Sequence, residues 1–149
     1  MPNPDFIYQT QKNLLYTIRA AEGSTLFKHN FVLEKSTSSN IDTLEDGKLS
    51  CAYVVSCLLA IHRLIDRPHA TVTTTLEKME HAGWRKSDTP VPGAVVYWPV
   101  VEEHGHIGFY LDDDTYMSNS TAKGVPALHG RVMADGREPT AFYVHDALL

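Results

Sequence analysis

The chain has 149 residues, 43% of them hydrophobic and 21% charged, and its 13 basic and 18 acidic side chains give a formal net charge of −5. A chain of this length and composition can bury a core of its own, so we predict a single domain over residues 1–149. The acidic balance argues against a nucleic-acid-binding protein, which needs a basic surface.

The first predicted element is a helix over residues 3–23. Asn3 can cap it, Pro4 suits its first turn, and apolar residues then recur at helical spacing. The N-terminus holds no basic segment followed by an apolar core, so we predict no secretory signal. A cytoplasmic location is then the default, with release or a non-standard export route as the alternative. Further on, residues 31–33 predict a short strand and residues 36–40 a surface loop.

Two more helices are predicted in the middle of the chain. Residues 50–65 are apolar on nearly every face, which indicates a buried helix, and Ser50 is a favourable N-cap. The longest apolar run, residues 51–61, is too short to cross a bilayer of ~30 Å, so we predict no membrane span. Residues 71–82 form the third predicted helix, with Gly83 as its stop.

The remaining chain predicts strands. An acidic turn at residues 112–115 joins two short apolar runs, which is typical of a hairpin. The predicted strands are residues 94–98, 106–111, 116–120, 125–128 and 142–144. Because helices come first and antiparallel strands follow, the predicted fold class is α+β, with N-terminal helices packed on a small antiparallel β-sheet.

Cys51 is the first candidate for chemistry. It begins a buried helix, where the free N–H groups and the helix dipole favour a thiolate, the form in which cysteine acts as a nucleophile. The alternative is a small apolar residue in a buried helix. Cys57 lies in mid-helix, about 120° away from facing Cys51, so we predict neither a disulfide nor a catalytic role for it.

His106 is the second candidate, as a general base at the start of a strand. The alternative is a surface histidine. The residue that orients it depends on the hairpin register. A two- or four-residue loop brings Asn119 to the His106 face, whereas a three- or five-residue loop brings Ser118 or Ser120 there. An amide oxygen holds an imidazole N–H better than a hydroxyl does, so chemistry favours Asn119.

Three stretches, taken in order, resemble the papain-like cysteine peptidases of the NlpC and CHAP type. They are Leu-Ser-Cys-Ala-Tyr-Val at residues 49–54, Pro-Gly-Ala-Val-Val-Tyr-Trp at 92–98 and Gly-His-Ile-Gly-Phe-Tyr-Leu at 105–111. The last is similar to the histidine strand of the family and is the most specific of the three. The resemblance extends over residues 49–128, and residues 1–48 form an N-terminal extension that matches nothing in it.

The resemblance implies a papain-like fold with Cys51 as nucleophile and His106 as general base. It implies hydrolysis of a peptide or amide bond, most often in bacterial cell-wall peptidoglycan, with stem peptides as substrate and no cofactor or metal. The third catalytic residue of the family falls twelve after the histidine, on Ser118, where the family has His, Asn, Gln or an acid. Ser50 and Ala94 also stand where the family has Asp.

Three other interpretations are kept open. A non-catalytic binding module on the same fold is one, and a Cys–His acyltransferase or deamidase is another. The third is a zinc site at His104 and His106 beside Glu102 and Glu103, although no clear further ligand is near in sequence. The acidic residues 112–114 lack the spaced ligands and glycine of a calcium loop and are interpreted as a turn.

Overall fold

The computed structural model describes residues 3–149, which form three α-helices, eight β-strands and two short 3₁₀ helices. The helices are α1 (Thr10–Ala20), α2 (Cys51–Ile61) and α3 (Val72–His81), and the 3₁₀ helices are Thr25–Phe27 and Asp146–Leu148. The strands are β1 (Phe31–Glu34), β2 (Ser39–Asp42), β3 (Arg85–Ser87), β4 (Val95–Val101), β5 (His104–Asp112), β6 (Thr115–Ser120), β7 (Val125–His129) and β8 (Ala141–Val144).

Six strands form one antiparallel sheet in the order β3-β8-β4-β5-β6-β7. Strands β1 and β2 form a separate two-stranded hairpin. Helix α2 packs against β5 and β6, and both α1 and α3 contact α2. The predicted α+β class, with helices preceding an antiparallel sheet, is therefore confirmed. No helix within residues 3–149 is long and apolar enough to cross a membrane.

The two faces of the large sheet carry different cores. On one face, alternate strand residues pack with α2 and its neighbouring helices in the main core; they include Val95, Ile107, Phe109 and Met117. The intervening residues form a smaller cluster on the other face, built from Val96, Trp98, Tyr116 and Phe142. A strand alternates its side chains between faces, so His106 and Ile107 belong to opposite faces.

The first helix is shorter than predicted, because it begins at Thr10 rather than at residue 3. The side chain of Asn3 accepts a hydrogen bond from the Asp5 backbone N–H, so it caps a local turn instead of a helix. A helix at the residues that follow would gain little stability from packing, because Phe6 and Ile7 are 74% and 83% exposed. Apolar residues at helical spacing therefore do not form a helix where the chain offers no surface for them to pack against.

Helix α2 begins where predicted but ends at Ile61. Arg63 has φ of +58°, outside the helical region, and the Leu64 N–H donates to the Leu59 carbonyl at 2.9 Å, which is a helix-ending pattern. Ser50 takes the N-cap position, but its hydroxyl donates to the Phe27 carbonyl at 2.7 Å and caps nothing. The expected capping bond is therefore wrong.

Helix α3 and the strands lie close to their predicted positions. The Thr71 side chain caps α3 by accepting from the Thr74 N–H, and Gly83 follows its end with φ of +99°. Each predicted strand is present, with ends that differ by at most three residues. Strands β2 and β3 were not predicted, and β2 begins inside the expected surface loop.

Candidate active site

A cavity of about 570 Å³ opens between the N-terminus of α2 and the β4–β5 hairpin. Its lining includes Cys51, His106, Asn119 and Arg137. The fold therefore brings both principal candidates, the cysteine and the histidine, to one cavity from segments more than fifty residues apart.

Cys51 is the first residue of α2, and its thiol is half-buried. Burial raises the pKa of the thiol, and backbone N–H groups of Ile107 and Ala52 beside the sulfur oppose that rise without cancelling it. The lowering of the thiol pKa that the helix N-terminus predicts is therefore outweighed by burial. Removal from water outweighs the N–H groups and the dipole.

His106 is the third residue of β5 and is 5% exposed, so the alternative of a surface histidine is wrong. Burial lowers the pKa of its imidazole from 6.5 to about 3, with a smaller contribution from the positive charge of Arg137. The ring is neutral at pH 7. Its Nε2 atom is buried and has no hydrogen-bond partner among residues 3–149.

Cys51 and His106 thus rest as a neutral thiol and a neutral imidazole. Within residues 3–149, no hydrogen bond joins the Cys51 thiol to the His106 imidazole. Catalytic hydrogen bonds are often long before substrate binds. Each charge is costly alone in this buried site, whereas a proton transfer from sulfur to imidazole creates both charges together and lets each stabilise the other.

The hairpin register brings Ser118, and not Asn119, to the His106 face. The turn is a two-residue loop, Asp113 and Asp114, both with positive φ, so the predicted acidic turn is confirmed. An extra residue between Tyr110 and Asp112 then bulges β5 and shifts the pairing, so that Gly108 lies opposite Ser118. The preference for Asn119 as the group facing His106 is therefore wrong.

Asn119 instead holds the loop that precedes the nucleophile. Its side-chain nitrogen donates to the Gly47 carbonyl at 2.6 Å, four residues before Cys51, and the side chain is buried. The Ser50 bond to the Phe27 carbonyl anchors the same loop from the other side. Asn119 therefore acts on the position of Cys51 rather than on the orientation of His106.

Ser118 is buried and bonds to a residue that the sequence did not single out. Its hydroxyl lies 2.6 Å from Nε2 of His129, and Nδ1 of His129 lies 2.7 Å from the Gly130 carbonyl. The indole of Trp98 has its ring centroid 5.5 Å from that of His106 and 5.5 Å from that of His129. Both histidines therefore lie on the same face of the sheet.

Arg137 is a second residue that sequence reasoning missed. Its guanidinium Nη1 donates to the Pro99 and His104 carbonyls at 2.9 and 3.1 Å, and its Nε lies 2.9 Å from the Asp135 carboxylate. The side chain is 14% exposed, so these bonds fix a cation beside the cavity. In the sequence Arg137 belongs to an Asp-Gly-Arg segment, and nothing in that segment distinguishes it from an ordinary surface loop.

The proposed metal ligands do not converge on a site. Residues 3–149 contain no group of three or more His, Cys, Asp and Glu side chains that could hold a metal ion. Glu102 and Glu103 lie at the exposed tip of the β4–β5 hairpin, both with positive φ. In the acidic turn, the Asp112 carboxylate forms an ion pair with the Arg19 guanidinium.

Comparison with known proteins adds no relative: no protein-family model matches the chain, and no curated protein matches it.

Proposed function

We propose that the protein is a cysteine hydrolase that cleaves a peptide or amide bond, with Cys51 as nucleophile and His106 as general base. The observation that carries the proposal is that both side chains line one cavity, with the thiol at the start of α2 and the imidazole on β5. Two of the three motifs that resemble NlpC and CHAP peptidases fall on the elements that bear these residues, and the third falls on β4, the strand beside β5, which supports a papain-like arrangement.

The reaction follows from the neutral pair. The sulfur of Cys51 attacks the carbonyl carbon as His106 takes the thiol proton, so the S–C bond forms while the S–H bond breaks. The imidazolium then gives that proton to the leaving nitrogen, and the C–N bond breaks to leave a thioester. Water hydrolyses the thioester with His106 again as base, which restores the thiol.

The backbone at the start of α2 supplies electrostatic stabilisation of the oxyanion. The N–H groups at the N-terminus of a helix have no intrahelical partner, and that of Cys51 lies at the reacting sulfur. An oxyanion that develops on the substrate carbonyl beside Cys51 accepts a stronger hydrogen bond from this N–H group than the neutral carbonyl does.

The lining favours a polar peptide over an apolar ligand. Cations at Lys48 and Arg137 stand with carboxylates at Glu102, Glu103 and Asp135 around the same cavity. A peptide that carries both charges can pair with both kinds of group. The resemblance to NlpC and CHAP peptidases implies stem peptides of bacterial cell-wall peptidoglycan, which carry both charges, and we propose them as the substrate class.

A binding module on the same fold is the second candidate. The raised pKa of Cys51 and the absence of a Cys51–His106 hydrogen bond favour it, because burial keeps both groups neutral. An acyltransferase would share the thioester and differ in the nucleophile that attacks it, whereas a deamidase would differ in its leaving group, which is ammonia. The products therefore separate these functions.

The test is digestion of purified muropeptides followed by mass spectrometry, with wild type, Cys51→Ala and Cys57→Ala. Cys57 is the matched control, since it is half-buried on the same helix but does not line the cavity. We expect wild type and Cys57→Ala to release the same fragments and Cys51→Ala to release none while melting at a similar temperature. Cleavage that persists in Cys51→Ala would overturn the proposal.

A further inference from the structure

A second cavity of about 370 Å³ lies beside the one that Cys51 lines. It is bounded by the end of β6, by β7 and by the irregular segment that precedes β8. Its volume falls within the range of ligand sites, roughly 300–1,000 Å³. The proposed reaction uses none of the residues that line this cavity only, so the cavity is free to hold a part of the substrate away from the reacting bond.

The two cavities are separated by side chains that line both of them. These shared residues are Asn119, Thr121, Asp135 and Arg137. Asp135 and Arg137 are bonded to each other at 2.9 Å and form a fixed part of this wall. Thr121 and Asp135 are exposed, so the wall ends at the protein surface. An extended peptide bound at Cys51 can therefore cross the wall and enter the second cavity.

The linings of the two cavities differ in the sign of their charge. Two cations and three carboxylates line the Cys51 cavity, namely Lys48, Arg137, Glu102, Glu103 and Asp135. Two cations and one carboxylate line the second cavity, namely Lys123, Arg137 and Asp135. Because Asp135 and Arg137 compensate each other, the charge that remains is negative in the Cys51 cavity and positive in the second cavity. Lys123 supplies that positive charge, and it favours an anionic group there.

The ammonium group of Lys123 is available to a ligand. Lys123 is exposed and takes part in no ion pair among residues 3–149. The imidazole of His129, which lines the same cavity, is already engaged. Its Nδ1 lies 2.7 Å from the Gly130 carbonyl and its Nε2 lies 2.6 Å from the Ser118 hydroxyl, and burial lowers its pKa. An anionic group of the substrate therefore finds its partner at Lys123 and not at His129.

Much of the remaining lining is apolar. Ala127 contributes from β7, and Val132 and Met133 contribute from the segment before β8. Val132 is 51% exposed, so an aliphatic group that covers it removes apolar surface from water. Since these residues and Lys123 line one cavity of this size, a single small group can contact both the aliphatic side chains and the ammonium.

We propose that the second cavity is a subsite for the carboxyl-terminal residue of the peptide substrate. That residue is aliphatic: its free carboxylate pairs with Lys123, and its side chain covers Val132 and Met133. The negative charge of the Cys51 cavity disfavours the same carboxylate, so the difference in charge directs the carboxyl end of the peptide to the second cavity. This inference rests on the proposed function, because it takes the substrate to be a peptide. Lys123 and Val132 determine specificity and touch no reacting atom.

The first experiment titrates ¹⁵N-labelled Cys51→Ala protein with three peptides and follows its amide resonances, since this variant cannot form the thioester. The probes are acetyl-alanyl-alanyl-leucine, its carboxamide and acetyl-alanyl-alanyl-glycine. We expect the leucine peptide to bind about threefold more tightly than its carboxamide and about fivefold more tightly than the glycine peptide, and the amides of Lys123 and Val132 to shift. Equal affinities for the leucine peptide and its carboxamide, or shifts confined to the Cys51 cavity, would overturn the proposal.

Charge variants in the same background locate the carboxylate. Lys123→Gln should bind the leucine peptide and its carboxamide equally, whereas Lys48→Gln removes a cation from the Cys51 cavity and should keep the preference. Lys35→Gln is the matched control, since Lys35 is exposed at the β1–β2 turn and lines neither cavity. A preference for the carboxylate that survives in Lys123→Gln would refute the subsite.

Apolar variants locate the aliphatic side chain. Val132→Ser should reduce the preference for the leucine peptide over the glycine peptide about twofold or more, because the apolar surface that the leucine covers becomes smaller. Val100→Ser is the matched control, since Val100 is 58% exposed but lines neither cavity. The same preference in Val132→Ser as in the parent protein would contradict the assignment of the side chain.

Cleavage by the protein with Cys51 intact separates the subsite from the proposed function. The value of kcat/KM for peptides that end in a carboxylate should exceed that for their carboxamides about threefold, and the difference should disappear in Lys123→Gln. An unchanged ratio in Lys123→Gln would refute the subsite and leave the proposed function standing. The expected binding preferences in a protein that cleaves no peptide would refute the proposed function and leave the subsite standing.

Discussion

The side chain of Asn119 donates a 2.6 Å hydrogen bond to the backbone carbonyl of Gly47, and so links the end of β6 to the loop that carries Cys51. The same loop approaches the β6–β7 turn so closely that a Cβ on Gly47 would lie 2.1 Å from the Gly124 carbonyl oxygen. The nucleophile is therefore held by contacts made ahead of its own helix.

We predict that Asn119→Ala lowers the free energy of unfolding by about 1–3 kcal/mol, because the buried Gly47 carbonyl loses its partner. The alkylation rate of Cys51 should fall as well, since the loop before it is released. Urea unfolding and peptide mapping after alkylation measure the two effects. Asn30→Ala removes a side-chain bond to Thr43 outside the cavity and should lower stability alone. Unchanged Cys51 reactivity in Asn119→Ala would refute this role.

The buried imidazole of His106 makes stability depend on pH. Its pKa is lowered from 6.5 to about 3, so between these values the unfolded chain binds a proton that the folded chain does not. Stability therefore falls as the pH drops through this range, by at most about 1.4 kcal/mol per pH unit for this group, and is unaffected by it above pH 6.5.

His106→Gln removes this titration, so its unfolding free energy between pH 6 and 4 should fall less steeply than that of wild type. Urea unfolding at several pH values gives the slope. His62 and His129 also have lowered pKa values and contribute equally to both proteins. His104→Gln is the control, since His104 is exposed and should leave the slope unchanged. Superimposable slopes for His106→Gln and wild type would show that His106 is not buried as a neutral ring.

The fixed guanidinium of Arg137 predicts a charge preference at Cys51. An anionic reagent gains from a nearby cation, so the ratio of the alkylation rate with iodoacetate to that with iodoacetamide should fall about threefold or more in Arg137→Gln. The ratio cancels any change in thiol exposure that the lost bonds to Pro99 and His104 cause. Arg131→Gln is the control, because Arg131 lies over Phe142 and does not line the cavity. An identical ratio in wild type and Arg137→Gln would remove Arg137 from the site.

Gly108 is required by the close approach of β5 to β6. A Cβ there would lie 2.6 Å from both the Met117 carbonyl oxygen and the Ser118 Cβ, and the backbone atom cannot move aside. We predict that Gly108→Ala lowers the free energy of unfolding by about 1–3 kcal/mol. Gly130→Ala should cost little, since nothing lies within 4 Å of its added methyl group. Equal midpoints of the two variants in urea would contradict the close approach.

Much of the fold was predictable because local signals agreed with tertiary packing. The all-round apolar character of α2 matches its burial against the sheet, and the turn residues Asp113 and Asp114 adopt the positive φ of a tight hairpin. The pairing register was not predictable. A single bulged residue in β5 leaves no mark in the hydrophobic pattern, yet it exchanges Asn119 for Ser118 on the sheet face that carries His106.

The residues that complete the cavity were hidden for a different reason. Arg137 reaches it from an irregular segment before β8, so its role depends on how the chain folds around the sheet. The rise in the pKa of Cys51 could not be predicted either, since its position at a helix N-terminus is visible in the sequence and its burial is not.

The most direct test of the central claim is the alkylation rate of Cys51 by iodoacetamide, resolved by peptide mapping, in wild type and His106→Ala between pH 5 and 9. Cys57 is the internal reference, since burial raises its pKa to about 11 and keeps it a thiol over this range. We predict that Cys51 reacts faster than Cys57 at pH 7 and loses at least about tenfold in His106→Ala, the lower part of what a general base contributes. A Cys51 that reacts no faster than Cys57, or at the same rate without His106, would contradict the account.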